Sequence, residues 1–478
     1  MHVSEDNVIP CRNVDVVPQQ QGRMLWLERF FFKYRSYIGL VHFAVFWVFL
    51  ALLFVPLFLD EVSETDTVFT HFTLLANYTM WGLWFPLVFL SVIFTGRSWC
   101  GLLCPMGAAS EYINKFGLHL KIPAFIRWEG MPIISFLIIT TLGQTVGVRD
   151  HPEAIAYVFG SVMLAAIIIG YLYGRNNRVW CRHMCPIGLM LGLFSRLGVV
   201  QFFPKRPSHG ADQYHESSLC PTMIDLRHKK ESRHCIECFK CVHPEAKSSL
   251  IVRARAPGEE VENIHSHNPN WAEVWFFFLG TGSALGGFLW LVLPLYQDLR
   301  QALGEWFIEH DQFWIGESGP WWLMSVHPER REVYNWLDFM TIVGFMTAVM
   351  LVFATAMFLL NLLSSSIAHA GTGKDRRQFW GSYVELAYQY MPVAMVSLLI
   401  GLGGKIFELL GLVGLGSNGI LTIKLVLFGI SLLWSLWLGW RIQTVQEVPL
   451  GRKVPGQIVG TLTSLFIAAC WWPAIFGI

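Results

Sequence analysis

The stretch Cys235-Ile-Glu-Cys238-Phe-Lys-Cys241, with Cys220-Pro221 upstream, organises the reading of this chain. Three cysteines separated by two residues each cannot share one helix face. They suit a tight loop wrapped around an iron–sulfur cube, each thiolate taking one iron. In ferredoxin runs of this spacing the fourth cysteine precedes a proline, and in two-cluster proteins it serves the neighbouring cluster. A simple run would place that cysteine at position 245, which is glutamate, while Cys220-Pro221 lies upstream. The expected ligand set is therefore Cys220, Cys235, Cys238 and Cys241, holding one 4Fe-4S cluster. The same four thiolates also suit zinc, although zinc sites more often pair two Cys-x-x-Cys units.

The rest of the chain is far more apolar than a soluble protein of its size. Of 478 residues, 54% are hydrophobic and 14% charged, and 21 are tryptophan, a residue that favours membrane interfaces. A formal net charge of +1 offers nothing to nucleic acid. Eight of the ten cysteines fall into three compact groups, a pattern of metal or redox chemistry rather than of a disulfide framework. Cys11 and Cys470 are isolated and take no role.

Hydropathy divides the chain into nine candidate spans, near 37–59, 79–95, 131–146, 154–173, 271–295, 336–360, 386–412, 421–440 and 457–476. The third is short of the ~20 residues that a helix needs to cross a bilayer. An amphipathic helix is expected near Leu299–Ile308. The expected fold is an all-α integral membrane protein of about nine transmembrane helices with a small ferredoxin-like cytoplasmic insert. Its expected parts are a polar N-terminal arm (1–35), a four-span membrane domain (36–199), the insert (200–270), a fifth span (271–296), a periplasmic loop (297–335) and a four-span C-terminal domain (336–478). The arm, the 97–127 loop, the 174–270 segment, Lys374–Arg377 and Arg441–Lys453 are all basic and alternate onto one side. The positive-inside rule makes that side cytoplasmic, with the C-terminus periplasmic, in a bacterial inner membrane. The clustered cysteines then lie where thiols stay reduced.

A second motif is duplicated. Arg97-x-Trp99-Cys100-x3-Cys104-Pro105-x-Gly107 recurs as Arg178-x-Trp180-Cys181-x3-Cys185-Pro186-x-Gly188, offset by 81 residues throughout. Proline favours the first position of a helix, so Pro105 and Pro186 are expected to start helices. Cys104 and Cys185 would then sit at helix N-termini, where the dipole lowers a thiol pKa. Cys100 and Cys104 would share a face if the intervening turn is helical. Pairing of the two copies would gather Cys100, Cys104, Cys181 and Cys185 into a second metal or redox site. Such a set suits iron–sulfur, copper, zinc or dithiol cycling. Four unliganded cysteines packed between helices are the structural alternative.

Together these residues resemble the NapH/NosR-type membrane polyferredoxins, a group that includes the CcoG-like proteins. The resemblance covers roughly residues 35–250. It implies electron transfer between a cytoplasmic or quinol donor and a periplasmic metalloprotein or metal-handling partner. It also implies an electron carrier or oxidoreductase subunit rather than a stand-alone enzyme. The alternative is a component of iron or copper uptake or assembly, in which the membrane cysteines bind metal and the cluster sets its redox state. Relative to the family pattern this chain has one ferredoxin run and a remnant, no flavin domain ahead of the first span, and four extra spans after 336. That extended membrane half is similar to what is expected of the polyferredoxin of ferrous-iron uptake systems.

Other polar residues read more simply. His42 and His369 are expected to be structural, and His234 and His243 to face solvent. His183, inside the second Cys-x3-Cys, is a better candidate ligand, although a surface position is commoner for such a histidine. Lys405 and Glu408, three residues apart, are placed to pair with each other.

Overall fold

The computed structural model describes residues 22–477, except 64, 206–216, 247–248, 331, 372–374 and 413, and the side chains of Ser217 and Leu412. The first 21 residues of the arm, Cys11 and Lys374 lie outside the described residues.

The apolar runs fold as helices because only a helix satisfies its own backbone groups in lipid. Among the described residues, eight are long and apolar enough to cross a membrane: Leu25–Phe58, Phe72–Thr95, Pro152–Tyr173, Trp271–Val292, Trp336–His369, Arg376–Leu402, Ser417–Val445 and Leu450–Phe476. The third expected span is the 15-residue helix Met131–Thr145, only ~22 Å long at 1.5 Å per residue. Both its ends are nonetheless anchored. Glu129, just before it, accepts from Arg233 and Asn270, while the Thr145 carbonyl accepts from Ser325 N–H at 2.8 Å. It therefore links the thiol-bearing face to the opposite face, although it is one of the shorter apolar helices and not among the eight. A short helix is tolerable there because it packs against the Pro186–Phe194, Trp271–Val292 and Trp336–His369 helices rather than facing lipid alone.

Two helices form the axis of the bundle. Trp271–Val292 and Arg376–Leu402 have 72% and 83% of their apolar windows buried, against 17% for Ser417–Val445, which turns its leucines outward. Glycine permits the closest crossing. A Cβ at Gly286 or Gly282 would stand 3.0–3.1 Å from the backbone of Met346 or Met350, so the fifth and sixth spans meet backbone to backbone.

The basic loops gather on one face. Arg441 Nε donates to Glu262 at 2.8 Å, Gln446 to Glu385 at 2.9 Å, and Glu385 pairs with His265 at 2.6 Å. On that face sits the 200–270 insert, with the antiparallel strands Val200–Pro204 and Leu250–Ala254. The described part of the arm packs on the insert. Its Leu25–Tyr34 helix lays Leu27 and Phe31 on the insert core, and Met24 N–H donates to Val252 O at 2.8 Å. The opposite face carries the helix Pro294–Glu309, longer than the expected Leu299–Ile308, and a small hairpin, Val326–His327 with Glu332–Val333. Lys405 and Glu408 pair at 3.3 Å, both exposed.

Candidate metal centres

The Cys235–Cys241 run folds as the spacing demands. Glu237 and Phe239 take φ of +52° and +60°, left-handed values that non-glycine residues rarely adopt. Each reverses the chain between two cysteines, and the three thiols turn inward. Cys220, Cys235, Cys238 and Cys241 are all buried and line one cavity, whose lining atoms enclose about 290 Å³ of empty space. Pro221, Lys229 and Ile236 complete its wall. Lys229, 4% exposed, donates from Nζ to Phe202 O at 2.6 Å, so a buried cation faces the four thiols. Burial pushes Cys235 up to about 12 and Glu237 up to about 8, which describes a pocket hostile to uncompensated anions.

The duplicated motif folds twice in the same way. Ser98–Leu102 and Val179–His183 are single helical turns, each broken just before its second cysteine. Pro105–Ile113 and Pro186–Phe194 then start on the prolines, with Cys104 and Cys185 as N-caps. The break puts Cys100 and Cys104 on separate helices rather than on a shared face. The copies meet about a pseudo-twofold. A Cβ on Gly107 would stand 2.9 Å from Arg178 Nη1 and 3.3 Å from Cys181 Sγ. A Cβ on Gly188 would stand 3.5 Å from Arg97 Nη2. Each motif glycine thus admits the arginine of the other copy, and the four thiols interact electrostatically with one another.

One sequence expectation is reversed here. The helix N-termini do not leave these thiols acidic. Burial outweighs the dipole and pushes Cys104 up to about 11 and Cys185 up to about 12, with Cys181 also pushed well up. Free Cys104, Cys181 and Cys185 hold their protons, and a bound metal would have to displace them. The polar atoms around them point the same way. Arg97 Nε, Arg178 Nη2 and Arg182 Nη1 are buried donors without acceptors. Several donors in want of acceptors suit an anionic group with acceptor sulfurs. The residues present therefore fit a cluster at both cysteine sets.

The two sets stand back to back. A Cβ on Gly101 would lie 2.8 Å from Cys238 N and 2.9 Å from Cys238 Cα, so the turn after Cys100 presses on the ferredoxin run. Arg178 stitches the junction. Its Nη1 donates to Cys100 O at 2.6 Å, its backbone N–H to Pro221 O at 2.6 Å, and its Nε to Glu111 Oε2 at 2.6 Å. Glu111 also pairs with Lys240 of the run. His42 reaches the same turn, 3.0 Å from Gly101 O.

The flanking histidines are corrected in part. His234 is half-buried, accepts from Arg233 Nε at 2.6 Å, and lines a cleft with Cys181 and Cys185 instead of facing solvent. His183 lines the same cleft, and burial beside Arg182 pushes it down to about 4, leaving it neutral. His243 packs its ring on Phe32, 4.2 Å between centroids. Sequence reasoning assigned no role to Arg97, Arg178, Glu111 or Lys229. The equal placement of the two arginines in the repeat was the only legible signal among them.

Comparison with known proteins bears on the same residues. A family model described as a 4Fe-4S binding domain matches residues 78–123 and 157–206. Those segments contain the two motif copies, while Cys220–Cys241 lies outside them. An uncharacterized protein of Methanocaldococcus jannaschii is 26% identical over 167 residues, 33% of this chain and 65% of that protein. The regulatory protein NosR of Pseudomonas aeruginosa is 23% identical over 206 residues, 36% of this chain and 28% of NosR. The ferredoxin-type protein NapH of Haemophilus influenzae is 24% identical over 218 residues, 39% of this chain and 74% of NapH. No solved structure matches. With a repeated 4Fe-4S motif at the ends of apolar helices, this multi-pass chain is similar to the NapH/NosR-type membrane polyferredoxins over about a third of its length.

Proposed function

We propose that the chain carries electrons between a donor at the thiol-bearing face and a redox partner at the opposite face. In this reading Cys220, Cys235, Cys238 and Cys241 hold one 4Fe-4S cluster, and Cys100, Cys104, Cys181 and Cys185 hold a second. When bound, each cluster supplies a one-electron carrier. The observation that carries the reading is the contact of Gly101 with Cys238. It brings the two thiol sets within one tunnelling step. The chain's own contribution is electrostatic: Arg97, Arg178 and Lys229 offset the negative charge of the thiolates in a dry site. The thiol-bearing face is cytoplasmic in this reading, because it carries the basic loops.

The donor on this reading is a quinol in the membrane, or a soluble protein at the basic face. The quinol is favoured by a cavity of about 190 Å³ whose lining runs between the helices from Cys185 to Arg149. Its walls are apolar, including Phe85, Phe136 and Ile139, and suit a polyprenyl tail. Arg149 lies over the Phe288 ring at 4.6 Å, and Gln144 accepts from Trp290 at 3.0 Å, so polar groups meet at one end. The metal-uptake alternative, with the membrane cysteines carrying a cation, is less favoured. A cation in transit would pass the buried guanidiniums of Arg97 and Arg178.

The test is anaerobic purification with iron and acid-labile sulfide analysis and low-temperature EPR. About eight irons per chain are expected from two cubes. Cys238→Ser and Cys100→Ser should each remove about half of the iron. Zinc without sulfide would end the electron-transfer reading, and stoichiometric copper at the membrane cysteines would favour uptake.

A further inference from the structure

The chain places a second polar cluster at the far end of the helix that leads to Cys181. Pro152–Tyr173 is 22 residues long, ~33 Å at 1.5 Å per residue, and its N-cap is His151. His151 is 2% exposed, and its ring stacks on His327 of the far-face hairpin, 3.8 Å between centroids. Glu153 follows on the first turn. One ligand atom from each of His151, Glu153 and His327 lies within 4.8 Å of the other two. A fourth donor, Glu332 Oε2, stands 3.0 Å from His151 Nε2. Adjacent ligands at ~2.1 Å from one ion in octahedral geometry stand about 3.0 Å apart. An independent observation points into the same place. Ser325 Oγ is buried with no partner, and a Cβ on Gly147 would meet it at 3.3 Å, His151 Cδ2 at 2.8 Å and Glu332 Oε1 at 3.5 Å.

We propose that His151, His327, Glu153 and Glu332 bind a first-row divalent metal ion on the face opposite the cysteines. Two imidazoles with two carboxylates make a borderline donor set that suits Fe²⁺, Mn²⁺ or Zn²⁺ and not a thiophilic ion. The proposal does not depend on the electron-transfer reading. In the metal-free form the charges are already arranged. Arg330 Nη1 lies 2.9 Å from His151 Nδ1, and a guanidinium only donates, so Nδ1 accepts and the ring is neutral with its proton on Nε2. His327 Nδ1 is likewise 3.2 Å from Glu329 Oε1. Metal binding moves the His151 proton from Nε2 to Nδ1, and the exposed Arg330 swings into solvent. The His327 ring tilts out of the stack, and the ligand atoms of His151, Glu153 and His327, now within 4.8 Å of one another, draw together around the ion. Arg330 thus competes with the ion for His151.

The test titrates Mn²⁺, a poor thiol ligand, into the purified full-length protein and follows the immobilised EPR signal. One saturable site is expected. Glu153→Gln, at an exposed position, and His151→Ala should each weaken binding ~10-fold or more. Arg330→Ala should tighten it, which simple loss of structure would not do. Unchanged cluster absorbance in each variant reports that the fold is intact. Absence of saturable Mn²⁺ binding, or equal binding in Glu153→Gln and wild type together with no gain in Arg330→Ala, overturns the proposal.

Discussion

At the scale of single residues the centres are governed by buried charge. Lys229 is the one cation on the wall of the Cys220–Cys241 cavity among the described residues. If the proposed cluster is held there, Lys229→Met is expected to lower its reduction potential by several tens of millivolts, because the reduced state gains a negative charge without a neighbouring positive one. Potentiometric EPR measures it, and an unchanged potential would mean that solvent screens the site. Glu111 joins three parts of the molecule through Arg178 and Lys240. Burial alone would raise its pKa, but the two cations hold it down at about 2, against 4.5 for the isolated group. A depressed carboxylate stabilises the fold above its unfolded pKa and loses that contribution as pH falls through the folded value. Its contribution, at most about 3 kcal/mol, is therefore complete from neutral pH down to about 4.5 and lost between there and about 2. The gap in melting temperature between wild type and Glu111→Gln should accordingly stay constant from pH 7 to pH 5. A gap that closes within that window would mean that Glu111 titrates much higher.

Among the elements, the turn after Cys100 and the ferredoxin run act as one unit. Gly101→Ala pushes a methyl group into the backbone of Ile236 and Cys238, neither of which is a flexible side-chain end. Overpacking of this kind costs about 1–3 kcal/mol. Because the clash lies at the junction, iron content should fall along with stability. Gly39→Ala, on the first span, meets nothing within 4 Å and should keep full iron. Equal iron in the two variants would show that the two elements do not depend on each other. The helices that carry this junction were legible from composition, since apolar runs of sufficient length have no other stable form in lipid. The break between Cys100 and Cys104 was not. The prolines marked where the next helix starts, but the angle at which it leaves is set by packing against the other copy.

For the molecule as a whole, the question is what holds the insert to the bundle. Arg196, fully buried, donates to Glu260 Oε1 at 2.9 Å and to Glu273 Oε2 at 2.8 Å, and reaches Glu231 at 3.3 Å. Glu260 and Glu231 belong to the insert, while Glu273 opens the fifth span and accepts from Tyr388. Removing one partner of such a network leaves charge uncompensated in a dry site, at roughly 3–5 kcal/mol. Arg196→Met should lower the melting temperature strongly, and Glu273→Gln in the same chain should recover part of the loss. Additive losses would mean that the two groups are uncoupled. Nothing in the spacing of residues 196, 260 and 273 marks them as partners.

Sequence alone determined the class of the molecule. The length of the apolar runs, the alternation of basic loops, the triple cysteine run and the 81-residue repeat are local patterns with local physical causes. Tertiary structure decided what those patterns become together. It set the two thiol sets back to back, raised thiol pKa values that helix ends would have lowered, turned His234 inward, and stacked His151 on His327 across 176 residues of chain. The reason is one of range. Helix formation depends on neighbours within a few residues. Burial, charge compensation and the convergence of ligands depend on which distant surfaces meet.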